Sequence, residues 1–426
     1  ENVAPNGKRR AMTWHATFHG GLNAKGALPS GAGLPVANFN GAVTGLALAR
    51  KQTAYDSVWG DCDSLYMLDM WQLRHFNLEN SRILEGCTNY NLQYKVAAAE
   101  TGVKRVLLTA SQASGFIVGS TVSVGDKGSN SSVDRYNTWM RDIADKVKVK
   151  SIETVTVGGT DYSAVNLDVA DSFNVPETAY ISSMPWHSGA TEALPGHSDG
   201  APGSLTNGKY PCRWAGVEML NGAYVIGLDP LWNVTTVDGG VTYTAMACRD
   251  SEKEASSVTA NHVKVAEKTF TSVNAWNYEL SMQNDSTESL LPDKTGGGET
   301  VGMKSAFYVY GSAGVRCPWR YGNLNNAGIA GAACANGNNS PANSNWNGVP
   351  RPTEILRHSP KLCRIALCYP CRKLKSCETD TAPGFGRGYA LRAHGGASSR
   401  TPRPCTKGHG NRKPLHISKY FCETKI

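Results

Sequence analysis

No apolar run of about 18 residues or more occurs in this chain of 426 residues, and no leader pattern opens it, so no membrane insertion is expected. The catalytic signatures are missing too. There is no nucleophile elbow, phosphate loop, zinc-protease pattern or dinucleotide fingerprint, and an enzyme is not expected. GGGETVG at Gly296–Gly302 lacks a following Lys-Ser/Thr and reads as a surface loop. A disulfide framework is likewise lacking. Of twelve cysteines six precede Arg351, and Cys62, Cys87, Cys212, Cys248, Cys317 and Cys334 are scattered as buried reduced thiols would be, with Cys317 and Cys334 the one pair to test for a bridge.

Charge is absent where it would mark nucleic-acid binding. Before Arg351 the chain has 27 basic and 31 acidic residues, so this body shows no phosphate-tracking patch and no nucleic-acid partner is expected for it. From Arg351 onward the balance becomes 16 basic to 4 acidic. The opening ENVAPNGKRR has no methionine and reads as a soluble chain incomplete at its N-terminus.

The sharpest local absence lies between Gly311 and Pro350, GSAGVRCPWRYGNLNNAGIAGAACANGNNSPANSNWNGVP, which has no lysine, aspartate or glutamate. Nine asparagines fill Asn323–Asn347 instead. Asparagine offers two donors and an acceptor on a short side chain and tolerates left-handed backbone, which suits an exposed loop fixed by other residues. Trp319, Leu324, Ile329 and Trp346 are spaced too irregularly for one helix or strand, and are expected to supply that fixing.

Upstream, residues 11–50 suggest strands and loops, with AMTWHATF and GAVTGLALA as apolar patches. His15 and His19 sit on the face opposite the alternating Met12, Trp14, Ala16 and Phe18, which argues against a helical metal pair. Ser64–Lys95 is the best helical candidate, with Leu65, Met67, Leu68, Met70 and Trp71 as its apolar stripe and a second helix following Asn89. A small β module is expected at 105–175, with a hairpin turn at Gly158–Gly159. Asp61/Asp63 and Asp168/Asp171 leave calcium open as a cofactor, without the dense ligand loop of a strong site.

The Asn-rich segment and the passages before it resemble the variable proteins of diversity-generating retroelements, specifically those of bacteriophages of gut bacteria. In that family a reverse transcriptase copies a template repeat, mutates its adenines and writes the copy into the 3′ part of the target gene. AAC codons for Asn are the favoured target, because randomising both adenines gives NNC, which is never a stop. The resemblance implies diversified, ligand-binding positions at Asn323, Asn325, Asn326, Asn336, Asn338, Asn339, Asn343, Asn345 and Asn347, and reads Tyr321, Ile329, Ser340 and Ser344 as mutated Asn codons. Trp319, Tyr321 and Trp346 would be aromatic anchors.

It also implies an α+β, C-type lectin-like fold of the subtype related to formylglycine-generating enzymes. Three passages carry it: YMLDMWQLRHFNLENS, MPWHSG, and KYPCRWAGVEMLNGAYVIG with its Arg-X-X-Gly-(Val/Ile)-Glu pattern. The implied organisation is residues 1–104 and 176–350 as the lectin-like domain, 105–175 inserted, the variable segment at 316–350 and a disordered basic tail at 351–426. The implied function is binding of a host-surface protein or glycan by a homo-oligomer or virion component, on a phage virion surface or tail, or on a bacterial cell surface. The rival readings are a formylglycine-generating-type oxidoreductase using Cys317/Cys334 and a structural virion decoration protein. One departure stands out: the family's variable segments lie at or near the C-terminus, whereas this chain continues from Arg351 to Ile426. Within that extension Cys368, Cys371, Cys405 and His409 can be drawn as a zinc site, and its charge would suit nucleic acid, but a disordered extension fits its composition better.

Overall fold

The computed structural model describes residues 14–23, 25–51, 56–79, 85–194, 206–248 and 253–354, all within the compact unit Glu1–Cys363. The opening ENVAPNGKRR and the tail from 355 to 426, with Cys368, Cys371, Cys405 and His409, lie outside the described residues. Strands make up 37% of the structure and helices 12%, so sheets carry the architecture of an α+β or mainly β chain. No helix is long and apolar enough to cross a membrane among the described residues.

The clearest sheet belongs to the β module. Its six antiparallel strands run in the order Gln93–Lys95, Ala179–Met184, Thr121–Asp126, Ala144–Val157, Thr160–Leu167 and Arg105–Leu108. Alternating β-branched residues supply a core of Val106, Leu108, Val122, Val124, Val149, Val165 and Ile181. At the hairpin tip Gly158 and Gly159 take φ of 58° and 79°, the left-handed pair that a tight turn needs. The sheet therefore starts before and ends after the 105–175 window expected from strand spacing, because short strands on either side complete it.

A second, mixed sheet holds the Asn-rich segment. Its seven strands are ordered Pro292–Thr295, Ala275–Met282, Ala306–Val309, Ala335–Asn336, Trp319–Arg320, Tyr224–Ile226 and Gly348–Pro350. Beside it lies a four-stranded sheet of Val263–Phe270, Gly240–Ala247, Leu231–Val237 and Gly314–Arg316, and the two share the aromatic cluster Trp232, Tyr243, Phe270 and Phe307. Pro352–Glu354 is paired on one side with Trp14–His15 and on the other with Asp56–Val58. Arg351 is fully buried, donates to the carbonyls of Ala16 and Thr17, and stacks on Trp59. Consequently the body extends at least through Glu354, past the boundary expected at Pro350.

The helix Asp61–His75 buries Met67, Leu68 and Trp71, and ends where Phe76 turns left-handed. It is shorter than the Ser64–Lys95 candidate. The helix expected after Asn89 is instead the strand Gln93–Lys95, whose partner Ala179–Met184 captures its backbone. Ala42–Ala49 is a helix rather than a strand or loop. Its small residues permit that packing: a β-carbon on Gly45 would stand 2.3 Å from the Pro350 side chain.

Candidate functional site

The passages carrying the resemblance meet at one buried carboxylate. Cys212–Trp214 and Val217–Met219 form a hairpin around Ala215 and Gly216, both left-handed, and this aims Glu218 inward. Glu218 accepts from the backbone N–H groups of Gly189 and Thr191 and from the Thr191 hydroxyl at 2.9–3.1 Å. MPWHSG and the Arg213–Glu218 pattern are thereby tied together. Burial nevertheless raises the Glu218 pKa above the usual carboxylate range. His19 stands 4.0 Å away, and burial with the nearby Arg351 charge lowers its pKa well below the ordinary value. His15 is elsewhere, 2.9 Å from Asp63 and stacked on Tyr66.

A second buried charge sets the base of the Asn-rich segment. Arg320 forms a bidentate pair with Asp61 at 2.7–2.8 Å and also donates to the carbonyls of Leu290 and Ala333. Its neighbour Tyr321 is fully buried, donates to Ser64 and accepts from the Trp59 indole. Asp61 and Asp63 thus have structural partners, with Asp63 capping the long helix at the Gly60 N–H, and are not open to calcium. Asp168 and Asp171 are exposed, and no group of three or more His, Cys, Asp or Glu side chains is placed to hold a metal among the described residues.

The fourteen candidate positions divide by burial. Trp319 and Tyr321 are core residues at 1% and 0% exposure, and Asn323, Asn339 and Asn347 are buried as well. Trp319 lies between Asn336 and Ile226 on the central strands, so it anchors the sheet and not a ligand. Trp346 is also buried. The expected aromatic anchor area is therefore scaffold, because each ring sits where the sheet or a loop root needs filling. Asn325, Asn343 and Ser344 face solvent, and Asn326, Ile329, Asn336, Asn338, Ser340 and Asn345 are half-buried.

These polar side chains bond mostly to one another. Asn323 Oδ1 accepts from the Asn325 N–H, and Asn326 Oδ1 from the Asn323 N–H. Asn336 Oδ1 accepts from the Asn338 N–H. Ser340 donates to Asn343, which donates to Asn339. Such local bonds fold the backbone into Asx turns that a sequence period cannot reveal. Longer-range backbone bonds fix the loop roots: Cys317 N–H to Asn339, Phe39 N–H to Asn345 and Tyr224 N–H to Asn347.

Beneath the face is Tyr224, fully buried and missed in the sequence. Its ring is 6.0 Å from that of Trp319, and its hydroxyl meets the side chains of Asn326 and Asn336. The β module supplies the other missed residues. Trp346 packs with Tyr90, Met184 and Trp186, and the Arg135 guanidinium lies 4.8 Å over its ring. Arg141 stacks on Phe39 and Lys146 reaches Asn38, so the module is docked beside the loop. Only a long-range contact unites DRYNTW with the Asn-rich segment, and nothing local announced it.

At the other edge a cleft of about 240 Å³ runs along Ala327 and Gly328 and includes Glu85, Asn89 and Glu299. Cys317 and Cys334 are free and fully buried. Burial pushes the Cys317 thiol up to about 12 and raises Cys334 well above its usual value, so neither is poised as a thiolate. Backbone pairing sets Cys317 beside Asn339 and Cys334 beside Tyr321, at different positions along the ladder, which gives a redox pair no support. No protein-family profile matches this chain, and no curated protein matches it.

Proposed function

We propose that this chain is a ligand-binding display protein, a variable protein of a bacteriophage diversity-generating retroelement built on a C-type lectin-like fold. One observation carries the reading. Within Trp319–Asn347, backbone and aromatic rings are tied into two sheets and the module, while the outward amides bond chiefly within the segment. Side chains of that kind can change without removing the ties that hold the backbone.

The function is recognition of a host-surface molecule, with the protein on a virion surface or tail. A small patch gives modest affinity, and repeated copies in a homo-oligomer or virion would raise it by avidity. Sequencing of the gene's 3′ end and flanking DNA in its source population tests the reading. A near-identical template repeat beside a reverse transcriptase, with differences clustered at the Asn codons, is the expected result. An invariant region with no repeat nearby would leave a fixed-specificity or structural protein as the better answer.

A further inference from the structure

Three features of the Asn-rich face have no role in holding the fold. The first is Tyr136. Arg135 is locked by bonds to Ser183, Asn91 and Leu92, and the Tyr136 N–H is held by Asp134 Oδ1 at 3.0 Å, yet the Tyr136 ring is 57% exposed. A rigid turn thus holds an aromatic ring out in water, at an apolar cost. Its position is also defined. One neighbour in sequence, Arg135, covers Trp346, and the Tyr136 phenol is close enough to the Tyr224 hydroxyl to act on it electrostatically, with Asn326 and Asn336 beside that hydroxyl.

The second feature is a pair of unmet acceptors. The side-chain oxygens of Asn338 and Asn347 are shielded from solvent and have no hydrogen-bond partner among the described residues, and Asn347 as a whole is only 9% exposed. A desolvated amide oxygen without a donor costs about 1–3 kcal/mol, which a ligand O–H or N–H would recover. The third is neutrality. Between Cys317 and Pro350 the only charged side chain is Arg320, and Asp61 neutralises it in the core.

From these we infer that the ligand of this face is an uncharged glycan, with Tyr136 of the β module as a fixed stacking platform beside the diversified positions and Asn338 and Asn347 as acceptors for its hydroxyls. The inference rests on the display reading. A sugar offers a C–H face for the ring, hydroxyl donors for the amides and no charge to leave unpaired. Carboxylate or phosphate groups would bring acceptors where donors are needed, and an ordinary charged protein surface would meet no counter-charge from this segment.

The test uses the full chain against immobilised neutral hexose and N-acetylhexosamine oligosaccharides, their sialylated and sulfated counterparts, and a set of proteins from bacterial outer surfaces. Binding to a neutral oligosaccharide is expected, weakened about tenfold by Tyr136→Ala, largely kept by Tyr136→Phe, and weakened by Asn347→Ala. The melting temperature of Tyr136→Ala should match the parent. If no neutral oligosaccharide binds, or Tyr136→Ala binds as well as the parent, the inference is overturned. If a charged glycan or a protein then binds and Asn338→Ala or Asn347→Ala weakens it, the display reading survives that loss. Ligand binding that is indifferent to every change on the Asn-rich face would overturn both.

Discussion

The β module and the Asn-rich segment are held in opposite ways. In Gln93–Met184 the strands carry their own apolar core, and the residues that form it alternate along each strand. Trp319–Asn347 has almost no core of its own: its rings enter clusters built by Trp59, Trp71, Tyr90 and Trp186, and its charge is neutralised by Asp61 of the long helix. The difference teaches that surface freedom in the segment depends on stability borrowed from elsewhere. Damage to the lender should therefore reach the segment, while damage to the module core should stay in the module.

The largest effect is expected from Arg320→Met. Loss of one partner leaves Asp61 buried without its counter-charge, at about 3–5 kcal/mol. Chemical denaturation should show that loss, and amide exchange should place the lost protection in Trp319–Asn347 and spare Thr121–Asp126. Equal loss in both would break the contrast, since the segment would then share one cooperative unit with the module.

Acid should act second, and again on the segment's side. Because the folded pKa of His19 lies well below its ordinary value near 6.5, the unfolded chain takes up a proton that the folded chain refuses. Stability should fall as pH drops from about 6.5 toward the folded pKa, by about 1.4 kcal/mol for each unit of depression. The facing groups are Glu218, whose raised pKa works in the opposite sense, and Arg351. Comparison of urea midpoints at two pH values for the parent and His19→Asn isolates this contribution. Parallel acid slopes in the two proteins would remove His19 from the account.

A smaller loss, about 0.5–1.5 kcal/mol, is expected for Ile181→Val in the module core, with ligand binding unchanged. A change in binding would mean that the module core transmits to the face, and would soften the contrast.

The same contrast explains what the sequence made legible. Period-two alternation in VKVKSIETVTV and the Gly158–Gly159 pair announced a hairpin because local residues decide it. Asn336 lies on a central strand between Tyr308 and Trp319, and nothing in CANGNN announces a strand, since its partners belong to distant chain. The helix expected after Asn89 failed for the same reason: Tyr94 and Lys95 pair with Ile181 and Tyr180, and tertiary pairing overrides local preference. The candidate amides were identifiable by composition, but which of them face water was not. Trp319, Tyr321 and Trp346 looked like display residues only until their neighbours were known.

The smallest effect is the most informative. Asn325, Asn343 and Ser344 face solvent, with side-chain bonds of Asn343 confined to Ser340 and Asn339. Replacing all three with mixed residues should change stability by about 0.5 kcal/mol or less, the range of ordinary surface substitutions. Asn323→Ala, at a buried turn that receives the Asn325 N–H, should cost more, because that donor would lose its acceptor. Thermal melts of the two variants set a scale inside the segment itself. If the triple variant melts well below Asn323→Ala, the outward side chains hold the loop. A protein that needed those side chains for its shape could not accept random replacements there, and diversification would have to stop at residues the scaffold does not use.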